Sequence, residues 1–280
     1  MLRWVKGHGT ENDFLLLPDL QARAGLTPAL VRALCDRRAG IGADGVLRVV
    51  PATGDRDAPD GAGPARWFMD YRNADGSLAE MCGNGIRVFA RYLVDAGLAE
   101  PGELAVDTRG GVRTVWVDRT GDVTVDMGAP VLLGARAVGE LAGIAVRMPN
   151  PHVVALLPDG EPGRAALGQL DLSGPPVVTP PLPDGQNVEF AVRTGPHALA
   201  LRVHERGSGE TRSCGTGVCA AVVAAVDAGG AGRGEPWTVE VPGGRLTVCW
   251  TEPGPVLLTG PAVLVASGEM TTGWLSAVAR

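Results

Sequence analysis

Two stretches decide how this chain folds: Glu80–Gly97, EMCGNGIRVFARYLVDAG, and Thr211–Gly229, TRSCGTGVCAAVVAAVDAG. Each has a cysteine, then Gly-x-Gly, then an apolar run of helical length closing on Val-Asp-Ala-Gly. The two cysteines, Cys82 and Cys214, stand about half a chain apart, which points to two related halves rather than a short solenoid repeat. Neither Ile86–Leu98 nor Val218–Asp227 contains a proline, and Gly97 and Gly229 sit where helix stops belong. The second run is Ala/Val-rich on all sides, the mark of a helix buried all round.

Working outward, short strand-like runs surround both stretches: Phe14–Leu17, Val46–Val50, Arg66–Tyr71, Gly111–Val117, Val123–Met127, Val153–Leu157, Val188–Val192, Ala198–His204, Thr238–Val241, Arg245–Trp250 and Val256–Thr259. Turn signals such as Thr120-Gly121-Asp122 and Pro242-Gly243-Gly244 separate them. The 41 glycines, 22 prolines and 4% aromatic content suit many short strands joined by turns. The expected fold is therefore α/β (α+β): two pseudo-symmetric domains, residues 1–126 and 127–267, each a curved, mostly antiparallel sheet around one central helix. The segment Thr53–Pro64 reads as a surface insertion.

Composition narrows the function. Apolar residues make up 45% of the 280, enough for packed cores, and the net charge of −6 has no basic stripe beside it, so nucleic acid is not an expected partner. The N-terminus lacks a signal-peptide layout, and the longest apolar run is too short to span a bilayer, so a soluble cytoplasmic protein is expected. The odd count of five cysteines argues against a disulfide framework.

Cys82 and Cys214 carry the chemistry. A thiol at a helix N-terminus meets partial positive charge, which favours thiolate and lowers its pKa. Glycines let backbone N–H groups converge there into an anion cradle. One such cysteine would be read as packing; two in matching contexts read as a pair. Inverting a stereocentre needs a base on one face of a carbon and an acid on the other, and two equivalent thiols supply both. Zinc would want CxxC or Cys/His spacing, absent here, and no metal is expected. A Cys82–Cys214 disulfide fits an inactivating oxidation product better than a structural bridge. Gly40-Ile41-Gly42-Ala43-Asp44-Gly45 matches GxGxxG but follows a helix-like run, Ala29–Arg38, and precedes a strand, the reverse of a dinucleotide fingerprint. Glu205 and Arg206 close a strand shortly before Cys214, so both charges could face its site or form a solvated pair.

Beyond these features the chain resembles the diaminopimelate epimerase family. The resemblance rests on Lys6-Gly7-His8-Gly9 with Asn12-Asp13-Phe14, Asn73-Ala74-Asp75-Gly76-Ser77, Met81 to Arg87, Asn150-Pro151-His152, Glu205-Arg206-Gly207, Gly209-Glu210-Thr211 and Cys214 to Gly217. It implies interconversion of LL- and meso-diaminopimelate, in lysine and cell-wall precursor synthesis, without pyridoxal phosphate or any other cofactor. It also implies an active site in an interdomain cleft, Cys82 and Cys214 as the acid/base pair, and His152 and Glu205 assisting. Asn12, Asn73, Asn150, Asn187 and Arg206 would hold the distal end of the substrate. N–H groups of Gly83, Asn84, Gly215 and Thr216 would bind the reacting carboxylate. The last residues, 268–280, would return to the first domain, and the family leaves room for a homodimer. Gly45 stands where some members carry a substrate-contacting Gln, and Met148-Pro149 precedes Asn150 where Gly is common. The alternatives are a racemase of proline, hydroxyproline, histidine or lysine on the same scaffold, or a binding protein without cysteine catalysis. Asn84, where proline racemase-like chains tend to carry His, separates the first; the presence of both cysteines argues against the second.

Overall fold

The computed structural model describes residues 2–23, 25–53, 65–119, 121–229 and 232–278. Residues 54–64 of the expected insertion, and Thr120 of the expected turn, lie outside them. The chain divides into two compact units, Met1–Val125 with Pro261–Arg280, and Asp126–Gly260.

The first unit is one sheet of eight strands. Its strands are β1 (Arg3–Gly9), β2 (Asn12–Pro18), β3 (Gly45–Pro51), β4 (Trp67–Asn73), β5 (Gly102–Asp107), β6 (Arg113–Val117), β7 (Val123–Asp126) and, from the far end of the chain, β18 (Val263–Glu269). Their order is β18-β1-β2-β3-β4-β5-β6-β7, with parallel pairing only between β2 and β3 and between β4 and β5. Helix α1 (Pro28–Cys35) links β2 to β3. Thr27 caps it, accepting from the Leu30 N–H at 3.2 Å, with Pro28 in the first turn. It packs Val31, Leu34 and Cys35 on Leu15, Leu17 and Val46. Helix α2 (Gly83–Asp95) links β4 to β5 and lies against β18, β1, β2, β3 and β6, so the sheet curls around it. A final short helix, α5 (Thr272–Val278), contacts α1.

The second unit repeats this plan. Its strands are β8 (Val131–Val138), β9 (Leu141–Met148), β10 (Asn150–Leu156), the two-residue β11 (Val178–Thr179), β12 (Asn187–Gly195), β13 (Ala198–Glu205), β14 (Gly209–Thr211), β15 (Pro236–Val241), β16 (Gly244–Trp250) and β17 (Val256–Gly260). The main order is β8-β9-β10-β12-β13-β15-β16-β17, parallel only between β10 and β12 and between β13 and β15. Helix α3 (Glu161–Gln169) occupies the connection matching α1, and α4 (Gly215–Asp227) the one matching α2. Strand for strand, β18 and β1 through β7 answer to β8, β9, β10, β12, β13, β15, β16 and β17, with the same senses of pairing. The repeat read from two helices thus extends to whole sheets, and β18 fills in the first unit the place that β8 holds in the second.

Each helix begins at the residue after its cysteine. Cys82 and Cys214 are the caps, and the helices end at Asp95 and Asp227 because Gly97 and Gly229 turn left-handed, with φ of 66° and 89°. The first helix therefore starts earlier and stops sooner than the expected Ile86–Leu98. Helix α4 is buried from Gly215 to Ala225, as its apolar girth implies. The GxGxxG match connects α1 to β3 as a tight turn: a Cβ at Gly40 would collide with the Ala33 carbonyl, and Gly42 has φ of 82°. No helix among the described residues is long and apolar enough to cross a membrane.

Candidate active site

Strand alternation sets the furniture around Cys214. Residues paired across neighbouring strands share a face of the sheet. His152 pairs with Asn187, and two positions along, Val154 pairs with Glu189. Glu189 in turn pairs with Val203, so Asn150, His152, Asn187, Glu189, Val203 and Glu205 share one face. Thr211 pairs with Val203 and joins them, and its hydroxyl donates to the Glu205 carboxylate.

At the centre, Cys214 caps α4, buried, with its Sγ 3.5 Å from the Thr216 hydroxyl. His152, fully buried, places Nδ1 2.7 Å from Glu189 Oε1 and Nε2 2.9 Å from Asn150 Oδ1. Asn187 Oδ1 accepts from the Arg206 N–H at 2.8 Å. The Arg206 side chain goes elsewhere: it is exposed, donates to the Asp184 carbonyl and packs over Gly185. Glu205 and Arg206 are successive residues at a strand end, and only Glu205 turns to the thiol.

Burial pushes the Cys214 thiol well above its usual pKa, and the Glu205 and Glu189 carboxylates push the same way, against a hydrogen bond from Thr216. The Gly217 N–H in the first helical turn lowers this pKa, as a helix N-terminus should, but the net direction is upward. Desolvation and two carboxylates outweigh a partial charge confined to one helical turn. Burial likewise raises the Glu205 carboxyl, opposed by hydrogen bonds from Thr211 and Cys214.

The Cys82 half has the same frame with other contents. The Cys82 Sγ accepts from the Gly85 N–H at 3.5 Å, and its thiol stands 3.7 Å from Asn12 Oδ1. The buried Asn84 donates to that same oxygen at 3.1 Å, and Asn12 Nδ2 donates to Asp44 at 2.8 Å. Arg37 holds both Asp44 and Asp13 at 2.7 Å. Asn73, at the end of β4, donates to Ser77 at 3.0 Å within its own turn. Arg87, fully buried in α2, donates to the Gly83 and Pro261 carbonyls. Gly83 and Asn84, like Gly215 and Thr216, fill the first two helical positions, where N–H groups point out along the axis. The five cysteines are free thiols.

A family model described as diaminopimelate epimerase matches residues 4–133 and 144–265, a span that takes in both cysteine half-sites. This chain belongs to the diaminopimelate epimerase family. It is 51% identical to a diaminopimelate epimerase of Streptomyces coelicolor, covering 99% of this chain and 98% of that one, and 50% identical to one of Mycobacterium ulcerans, covering 97% of each. Among solved structures, a probable proline racemase from Agrobacterium radiobacter superposes with a TM-score of 0.68 over 97% of this chain and 93% of that one. At 15% identity that likeness speaks for the fold alone.

Two residues of the site, Glu189 and Asp44, are not announced by any motif in the sequence. Glu189 lies inside the strand-like run Val188–Val192, and a carboxylate in an otherwise apolar, buried run is a signal in itself. Asp44 sits in the GxGxxG match, whose dismissal as a nucleotide loop hid the residue that orients Asn12.

Proposed function

We propose that this protein interconverts LL- and meso-2,6-diaminopimelate by a two-base reaction of Cys82 and Cys214, in lysine and cell-wall precursor synthesis and without pyridoxal phosphate. One observation carries this reading: in two units of the same topology, the same position holds a cysteine that caps a buried helix opening with Gly-x-Gly. One thiolate removes the α-proton, the electron pair moves onto the substrate carboxylate, and the opposite thiol returns a proton to the other face of that carbon. First-turn N–H groups of Gly83, Asn84, Gly215 and Thr216 stabilise the charge that builds up on the carboxylate. Asn12, Asn73, Asn150, Asn187 and Arg206 receive the distal amino-acid end, Arg206 through a carboxylate contact after leaving Asp184. His152 and Glu205 assist the thiols.

The test uses reduced protein, no added cofactor and LL-diaminopimelate in D2O. Deuterium should enter the α-carbon as meso product forms. Replacing Cys82 or Cys214 by Ala should lower turnover by at least about a hundredfold, the scale of a lost acid/base group. Unchanged turnover in either variant, or turnover of proline, histidine or lysine in place of diaminopimelate, would overturn the reading.

A further inference from the structure

The two half-sites share a frame but not a floor. Phe14 pairs with Gly45 and Leu16 with Leu47, in the positions where the second unit pairs His152 with Asn187 and Val154 with Glu189. Phe14 and Leu47 thus stand where His152 and Glu189 stand. The helices agree: a Cβ at Gly85, three residues after Cys82, would rest at 3.4 Å on both Phe14 and Leu47. A Cβ at Gly217, three residues after Cys214, would collide with the Glu189 carboxylate. Gly217 leaves room for a carboxylate where the Cys82 half has Leu47.

That carboxylate is fully buried, as is His152. The imidazole lies between two side chains, with Nδ1 2.7 Å from the Glu189 carboxylate and Nε2 2.9 Å from the Asn150 amide. A carboxylate that accepts from Nδ1–H fixes the ring's tautomer and turns Nε2 toward Asn150. The second carboxylate oxygen, Oε2, is buried with no hydrogen-bond partner among the described residues, so the contact with His152 is what holds this side chain.

We propose that Glu189 is a positioning residue that holds the His152 ring through Nδ1, fixing its tautomer and its approach to Asn150, at a place in the Cys214 half where the Cys82 half has Leu47. This rests on the two-thiol reading. Glu189 acts through His152, touches no reacting atom, and makes the two thiols inequivalent although their backbones match.

Two experiments test it. Nitrogen-15 labelling of the four histidines, with His152→Gln to assign the signal, reads the ring directly. In the parent protein Nδ1 of His152 should carry a proton held in a hydrogen bond, and in Glu189→Gln the signal of that nitrogen should shift. An Nδ1 without a proton in the parent, or an identical ring in both proteins, overturns the proposal, and the parent spectrum decides even if the variant does not fold. In the epimerisation assay Glu189→Gln should lower kcat about tenfold or more with KM within about threefold, as when a carboxylate that orients a histidine is lost. The double variant with His152→Gln should be no slower than His152→Gln alone, and losses that multiply would overturn a role through His152. A parent protein inactive on diaminopimelate would count against the substrate reading and leave the ring spectrum to decide on Glu189.

Discussion

At the scale of single residues, the informative contrast is between two thiols with matching backbones and unlike surroundings. Cys214 is buried beside Glu205 and Glu189, while Cys82 faces the amide oxygen of Asn12, which also accepts from Asn84. Burial, then Glu205, then Glu189 raise the Cys214 pKa, so this sulfur is a thiol at neutral pH in the free protein. Removing one of the carboxylates should ease its ionisation. In Glu205→Gln the ultraviolet thiolate signal of Cys214, isolated by comparison with a Cys214→Ala background, should titrate at lower pH than in the parent. A titration at the same or higher pH would mean that Glu205 does not act on the sulfur through its charge.

At the scale of elements, the Gly-x-Gly turns are alike in sequence and unlike in what they tolerate. Gly85→Ala adds a methyl at ordinary contact distance from Phe14 and Leu47 and removes a glycine from a helix, so its stability should stay within about 1 kcal/mol of the parent. Gly217→Ala drives a methyl into the Glu189 carboxylate, itself held by His152, and should cost about 1–3 kcal/mol by thermal or denaturant unfolding. Equal effects at the two positions would contradict the difference in floors. Gly40→Ala meets backbone, the Ala33 carbonyl, and should be more damaging than either. The elements also show what could be read in advance. Both helices, their cysteine caps and eleven strands were legible because apolar runs and turn residues state them locally. Strands β1, β5, β8, β9, β11, β14 and β18 were not: β1 carries Lys6, His8 and two glycines, β5 and β9 mix exposed and buried positions, β11 and β14 are two and three residues long, β8 buries only Val138 and β18 buries no residue. Helix α3 was missed for a similar reason, since two glycines and a proline interrupt its nine residues and it buries only Gly163 and Leu167. The Glu189–His152 pair depends on the register of β10 against β12, a non-local fact that no spacing announces.

At the scale of the whole molecule, buried ionisable groups set the pH range over which the fold holds. Burial, with smaller contributions from Asp13 and Asp44, raises the Cys35 thiol in α1 to about 12, and the Cys214 thiol is raised as well. A group whose folded pKa lies above its unfolded value near 8.5 stabilises the fold below that value and ceases to do so as pH climbs toward the folded pKa. Each thiol should therefore cost stability above about pH 8.5, by at most about 1.4 kcal/mol per pH unit. On the acid side, burial tends to raise the Asp13 carboxyl, but hydrogen bonds from Arg37 and Lys6 outweigh it and bring it to about 2. Its contribution, on the order of 2 kcal/mol, is present above about pH 4 and lost as pH falls toward 2. Denaturant unfolding across pH should give a plateau with a fall on each side, and the two falls should be separable by substitution. Cys35→Ala should flatten the alkaline slope while lowering the plateau through lost packing. Asp13→Asn should flatten the acid slope and leave the alkaline one alone. The slope carries the argument rather than the height of the plateau, since both variants also disturb packing or ion pairing. An alkaline slope unchanged in Cys35→Ala would show that its thiol ionises in the folded protein as readily as in the unfolded chain.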